Sequence, residues 1–271
     1  MDNFLMKPKT GFVFKEIMTD EQARIGFLSA ILKIKPEEIK STQILNTYFQ
    51  EVQEEDKQGI LDVRILMNNN TEINVEIQLS EQEVQTDRLL FYISKMYTEQ
   101  IKQRQSRGIC KKCVSISIQD CILFPKETEF YSCFHFKENK RDFIYTDEME
   151  FHVIELPKLP KEIKEDSSDI ELWAKFINAE KKAELEMISS KNSYIQSAYR
   201  KLQMINQDKE KQLEYEARIE SEKKGRIEGE NRVNRLNYLL LQNKRYNDLE
   251  RSTKDYDFQK QLMREYGIID D

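Results

Sequence analysis

Two stretches of alternating apolar and polar residues follow one another in the first third of the chain. The odd positions are apolar between residues 61 and 67, and they are apolar again between residues 73 and 79. The residues between the two stretches are Asn68-Asn69-Asn70-Thr71, types that favour a tight turn. Strict alternation on both sides of a turn predicts an antiparallel β-hairpin.

The same pattern predicts how the two strands of the hairpin pair. Both apolar sets must face one core, so the numbers of paired residues must sum to an even value. The polar residues then share the opposite face, and they are Asp62, Arg64, Glu76 and Gln78. Asp62 is expected directly across from Glu76 or from Gln78, so two carboxylates and an amide meet on one patch of sheet.

The rest of the chain predicts helices around a modest sheet. Apolar residues recur at intervals of three and four over residues 12–34 and 81–106, a spacing typical of helices that bury one face. Further strands are expected over 44–52, over 114–118 with a continuation into 122–124, and over 130–136 and 149–154. From about residue 168 onward, charged helix-forming residues surround sparse apolar positions.

These patterns divide the chain into two regions. Residues 1–160 are expected to form an α/β domain, a mixed β-sheet flanked by helices. Residues 161–271 are expected to form an all-helical C-terminal extension of long helices, ending in a small helical unit at about 231–271.

Composition narrows the class of protein. Seven Gly and five Pro in 271 residues are too few for a turn-rich all-β fold. The net charge of -6 excludes a globally basic nucleic-acid-binding surface, although residues 95–112 form a local basic window. There is no apolar stretch of membrane-spanning length, no apolar signal segment and no disulfide pattern. We therefore expect a cytoplasmic protein that does not contact membranes.

The polar patch of the hairpin suits a hard divalent cation. Asp62 and Glu76 each offer a carboxylate oxygen to Mg²⁺ or Mn²⁺, and the backbone carbonyl of Ile77 offers a third ligand. A cation held there lowers the pKa of a bound water, as phosphodiester hydrolysis requires. Gln78 is expected to orient that water, although its amide is uncharged and cannot act as a base.

These residues resemble a known family. Leu61-Asp62-Val63, followed fourteen residues after Asp62 by Glu76 in Val75-Glu76-Ile77-Gln78, resembles the core motif of the PD-(D/E)XK nucleases. The closer similarity is to the Rpn branch, the recombination-promoting nucleases and putative transposases, where Gln typically replaces the final Lys. Phe12-Val13-Phe14-Lys15 and the segment 224–229 are similar to this branch as well.

The resemblance implies a fold, a reaction and a set of site residues. It implies a PD-(D/E)XK-like α/β core and a metal-dependent DNA endonuclease with transposase-like, recombination-promoting activity. Asp62 and Glu76 match the metal ligands of the family, and Gln78 matches the third position of the motif. Gly11 departs from the pattern, because many such sequences have Asp there.

Basic residues after the motif are candidates for contact with DNA, namely Arg88, Lys102, Arg104 and Arg107. Arg88 is expected either to meet the scissile phosphate or to pair with acidic neighbours on its helix. The window that holds the other three suits phosphate contacts, or it is an ordinary solvated charged face.

Several alternatives stay open. The polar face of the hairpin is otherwise a plain solvated surface, and the runner-up function is a weakened or inactive nuclease fold that binds DNA or protein. A homodimer through the C-terminal helices would suit opposed cuts in two strands. The four cysteines, Cys110, Cys113, Cys121 and Cys133, fit no common zinc-site spacing. His135 and His152 show no nucleophile–base pattern.

Overall fold

The computed structural model describes residues 5–46, 62–68, 70–79, 86–103 and 110–269. The helices in this part of the chain are α1 (Gly11–Met18), α2 (Glu21–Leu32), α3 (Thr86–Gln103), α4 (Asp169–Asn178), α5 (Lys182–Ser189), α6 (Ser193–Gln207), α7 (Lys209–Gln242), α8 (Tyr246–Ser252) and α9 (Tyr256–Glu265). The strands are β1 (Thr42–Ile44), β2 (Val63–Met67), β3 (Glu72–Gln78), β4 (Cys113–Gln119), β5 (Tyr131–Lys137) and β6 (Ile144–Glu155).

Within the described residues the strands form one mixed sheet in the order β1-β2-β3-β4-β6-β5. Strands β3, β4 and β6 run parallel, and antiparallel strands continue the sheet at both edges. The predicted hairpin is confirmed, because β2 pairs antiparallel with β3 and Val63 lies opposite Val75. The numbers of this pair sum to an even value, as predicted. The strand predicted over 44–52 is wrong where it can be compared, because β1 ends at Ile44 and residues 45–46 are not in a strand; residues 47–52 lie outside the described residues. The predicted continuation of β4 into residues 122–124 is wrong as well, because β4 ends at Gln119.

Both faces of the central strands are buried. The apolar face holds a set of fully buried residues, which are Val63, Ile65, Ile73, Val75, Val114, Ile116 and Ile118. Helix α2 lies near this face, where the Tyr131 hydroxyl donates to the Ile31 carbonyl at 3.3 Å. Helix α3 covers the other face and packs Tyr92 and Met96 against Cys113. Sheets with parallel central strands commonly carry such layers on both sides.

Helices α4, α5 and α6 belong to the same compact unit as the sheet, which spans Met1–Lys209. Phe27 makes edge-to-face contacts with Phe14 and with Trp173. A Cβ on Gly26 would lie 2.1 Å from the Cβ of Tyr194, so α2 and α6 meet at a position that only glycine allows. This unit extends well past the boundary that the sequence suggests at residue 160, because the helices after it bury their apolar faces against α1 and α2.

The second unit, Glu210–Asp271, is helical and has a core of its own. Leu236 and Leu240 of α7 pack against Leu262 and Met263 of α9. Asp255 caps α9 by accepting a hydrogen bond from the Phe258 N–H at 3.0 Å.

The architecture is therefore the expected α/β fold, a mixed sheet flanked by helices with further helices at the C-terminal end. None of the helices in the described part of the chain combines the length and apolar character needed to cross a bilayer.

Candidate active site

Asp62 and Glu76 interlock at the end of the β2–β3 hairpin. Asp62 directly precedes β2, and the register places it opposite Glu76. The Asp62 N–H donates to Glu76 Oε1 at 3.1 Å, and the Ile77 N–H donates to Asp62 Oδ2 at 2.9 Å. Each acid is thus held by the backbone of the opposing strand, and the two predicted metal ligands come together.

Ile77 presents its backbone to this acid pair. In a strand, the N–H and C=O of one residue point to the same side, and adjacent residues point to opposite sides. The Ile77 N–H binds Asp62, whereas the Gln78 carbonyl accepts a hydrogen bond from the Asp120 N–H at 2.9 Å on the other side. The Ile77 carbonyl therefore points toward the side of β3 on which Asp62 lies.

Gln78 is buried next to the acid pair, and only 4% of it is exposed. Its Oε1 atom has no hydrogen-bond partner within the part of the chain that the structure describes. A buried amide oxygen without a partner is unfavourable. A ligand or water that donates a hydrogen bond to this atom would therefore stabilise the site.

Gly11 explains part of the geometry of the site. It is the first residue of α1, and a Cβ at this position would lie 3.0 Å from Asp62 Oδ1. The carboxylate of Asp62 therefore lies against the amino end of α1, where the helix dipole favours negative charge. The glycine that departs from the family pattern is the residue that makes room for Asp62.

Lys9 and Asp120 are neighbours of the site that sequence reasoning missed. Lys9 Nζ pairs with Asp120 Oδ2 at 2.9 Å, and Asp120 follows the end of β4 beside Gln78. Lys9 thus brings an ammonium group to the strand ends at which the motif itself has only an amide. A lysine two residues before a glycine carries no recognisable motif, so only the tertiary structure reveals it.

The burial of these residues rules out a plain solvated surface. Only 1% of Glu76 is exposed, Asn74 is fully buried, and Asp62 is half-buried. Arg64, on the same face, donates to Glu72 and to Glu99, the latter at 2.9 Å. Burial raises the pKa of Glu72, and the ion pair with Arg64 offsets part of this rise. Acids kept at such a desolvation cost require specific partners.

The acid pair has the chemistry of a site for a hard divalent cation. Two carboxylates and the backbone carbonyl of Ile77 form a donor set of oxygen atoms alone, and the amide oxygen of Gln78 lies next to it. Mg²⁺ and Mn²⁺ prefer such oxygen donors. These residues fit a divalent cation, and Asp62 is the more exposed of the two acids.

The candidate DNA-binding residues are only partly described. Arg88 and Lys102 lie on α3, but their side chains are outside the described residues. Arg104 and Arg107 lie outside the described residues altogether. Their contact with DNA stays a prediction.

A nuclease-like α/β fold with an interlocked acid pair agrees with the comparison with known families. The family model described as PD-(D/E)XK nuclease family transposase matches residues 8–228. The chain therefore belongs to the PD-(D/E)XK nuclease family transposases, which confirms the resemblance and supports a nuclease-like function. No curated protein and no solved structure matches the chain.

Proposed function

We propose that this chain is a metal-dependent DNA endonuclease that hydrolyses phosphodiester bonds in transposase-like, recombination-promoting reactions. The observation that carries the proposal is the pair of reciprocal hydrogen bonds between Asp62 and the Glu76–Ile77 segment of β3. These bonds hold two carboxylates close together where two paired inner strands of the sheet meet.

In this proposal each residue of the site has a defined part. Asp62, Glu76 and the Ile77 carbonyl hold Mg²⁺ or Mn²⁺. When bound, such a cation polarises a phosphoryl oxygen and lowers the pKa of a water ligand. The buried Gln78 amide orients the attacking water through its Oε1 atom, and the ion pair of Lys9 with Asp120 lies near the strand ends.

The test is cleavage of supercoiled plasmid by the full chain in Mg²⁺, Mn²⁺, Ca²⁺ or EDTA. We expect nicking in Mg²⁺ or Mn²⁺ that EDTA abolishes. Asp62→Asn is expected to remove it, although the new amide oxygen still accepts the Ile77 N–H, so the strand end keeps its hydrogen bond. Cleavage in EDTA, or full activity of the folded variant, would refute the proposal.

The second candidate is a nuclease fold that no longer cuts and binds DNA or protein. One observation favours it, namely that Gln78 brings an uncharged amide to the third position of the motif. It predicts DNA retention that is indifferent to Mg²⁺ and depends on Lys102, Arg104 and Arg107.

Two results separate the candidates. A folded protein that shifts DNA and cuts with none of the metals supports the binding module. In that case Gln78→Lys, which restores a charged group, is the variant in which cleavage is expected to reappear. Cutting by the wild type decides for the nuclease.

A further inference from the structure

A second cluster of metal-ligating side chains lies on strands β5 and β6. Cys133 pairs with His152 across the two antiparallel strands, and two residues further along β5 His135 pairs with Glu150. Cys133, Glu150 and His152 each offer one potential ligand atom, and these three atoms all lie within 4.8 Å of one another. The register places this cluster on the face of the sheet opposite Glu76.

The two oxygens of Glu150 have different neighbours. Oε2 accepts from Lys112 and lies 3.1 Å from His135 Nε2. Oε1 lies 2.6 Å from His152 Nε2 and 3.9 Å from Cys133 Sγ. Oε2 is therefore occupied by Lys112 and His135, whereas Oε1 faces an imidazole nitrogen and a thiol sulfur.

His152 is oriented as a metal ligand. It is 2% exposed, and its Nε2 faces the cluster, 2.6 Å from Glu150 Oε1. The Tyr131 hydroxyl lies 2.8 Å from His152 Nδ1 and 3.3 Å from the Ile31 carbonyl oxygen, so it fixes the orientation of the ring. Nε2 is then the nitrogen that faces the cluster, and histidine ligands are commonly held by such a bond at the other nitrogen.

We propose that Cys133, Glu150 and His152 bind a Zn²⁺ ion on this face of the sheet. A sulfur, an imidazole nitrogen and a carboxylate oxygen are a donor set that suits zinc and does not suit magnesium. Glu150 and His152 are buried and Cys133 is exposed, so the ion is held by two buried ligands and is open to solvent on the side of Cys133. The fourth position is open to water or to His135, whose Nδ1 lies 3.9 Å from the sulfur. The site uses none of the residues of the proposed nuclease centre.

The test is titration of the reduced, metal-free full chain with Co²⁺ as a spectroscopic probe, followed by Zn²⁺. We expect one equivalent of Co²⁺ to produce a thiolate-to-metal charge-transfer band, which Zn²⁺ then removes. An ion held only by Asp62 and Glu76 gives no thiolate band, so the two sites are distinguished. Zn²⁺ at a hundredfold excess over its Kd is expected to raise Tm by on the order of 5 °C.

Matched variants assign the ligands. Cys133→Ser is expected to lose the band, whereas Cys110→Ser, which changes a half-buried cysteine outside the cluster, keeps it. Tyr131→Phe removes the hydroxyl that contacts Nδ1 and the Ile31 carbonyl but leaves all three ligands, and it is expected to weaken Co²⁺ binding about tenfold. Absence of the band in the folded wild type, or its persistence in Cys133→Ser, would overturn the proposal.

A second measurement does not depend on whether any variant folds. Zn²⁺ is expected to protect Cys133 of the wild type from alkylation by iodoacetamide, as read by peptide mass spectrometry. Equal labelling of Cys133 with and without saturating Zn²⁺ would overturn the proposal as well.

Discussion

Strands β3 and β5 belong to one sheet and both mix polar with apolar residues, yet their surroundings differ. Every residue of β3 is buried, including Asn74, Glu76 and Gln78, whereas every residue of β5 is half-buried or exposed. The difference arises from position, since β3 has a paired strand on each side and helix α3 across one face, while β5 is an edge strand.

This comparison shows that polar residues mean different things in the two strands. On an edge strand a polar residue is solvated and inexpensive. In the buried centre of the sheet the same residue costs free energy unless it has a partner, so the polar face of β3 indicates function. The exception on β5 is Cys133, which lies beside the buried Glu150 and His152 of β6.

The largest expected effect lies at the buried acid of β3. Glu76→Gln keeps an oxygen that accepts the Asp62 N–H but removes a carboxylate, so plasmid cleavage is expected to fall by on the order of 10³-fold. Asp142→Asn makes the same chemical change at an exposed turn between β5 and β6 and is expected to have no effect. Equal losses in the two variants would show that burial does not mark the functional acid.

The next largest expected difference is in how much side-chain packing contributes to the free energy of unfolding in the centre of the sheet and in the edge strand β5. Ile116→Ala in β4, the fully buried neighbour of β3, is expected to lower the free energy of unfolding by about 3 kcal/mol. Phe136→Ala in β5, where the ring is 47% exposed, is expected to cost less than about 1 kcal/mol. Urea titration followed by the fluorescence of Trp173, the single tryptophan, reports on the sheet-containing unit. A larger loss from the Phe136 variant would contradict the comparison.

Thiol reactivity sharpens the same contrast between a central and an edge strand. Burial raises the pKa of Cys113 to about 12, so below that pH it stays a protonated, unreactive thiol in the folded protein. Cys133 is exposed, although burial of its sulfur and the nearby Glu150 also raise its pKa. Without zinc at pH 8, iodoacetamide is expected to modify Cys133 on the order of 100-fold faster than Cys113. Similar rates by mass spectrometry would show that β4 opens readily.

The smallest expected effect comes from a single methyl group. Gly11→Ala places a Cβ 3.0 Å from Asp62 Oδ1, so the carboxylate must shift, and Mg²⁺-dependent cleavage is expected to fall about tenfold. Gly225→Ala adds the same methyl group in α7 with nothing within 4 Å, and it is expected to leave cleavage unchanged. Unaltered cleavage by the Gly11 variant would mean that Asp62 is not held as tightly as the contact suggests.

The hairpin and the faces of its strands could be predicted from sequence, because local alternation and a local turn determine both. The sequence left Asp62 opposite either Glu76 or Gln78, and the observed pairing of Val63 with Val75 selects Glu76. The size of the first unit could not be predicted, because the packing of Trp173 against Phe27 joins residues far apart in the chain. The change in composition near residue 168 marks the point after which the chain is helical. It does not mark the end of the first compact unit, which lies at Lys209.

Parts of the two polar clusters were hidden for the same physical reason. Lys9 meets Asp120 beside Gln78, and Gly11 meets Asp62, because of the path of the chain into α1, which no local pattern encodes. Cys133 and His152 meet because of the β5–β6 register. The spacing of the cysteines along the chain does not reveal this cluster, because its three residues are a cysteine, a glutamate and a histidine.

The reciprocal hydrogen bonds of the acid pair also have an evolutionary consequence. Because each carboxylate closes a backbone bond across the hairpin, either acid contributes to folding before it contributes to any reaction. A descendant that lost cleavage would still be under selection to keep an acceptor oxygen at both positions for the sake of strand pairing, and an amide would serve as well as an acid. Loss of activity at these two positions should therefore appear as Asn or Gln rather than as a side chain without an acceptor oxygen.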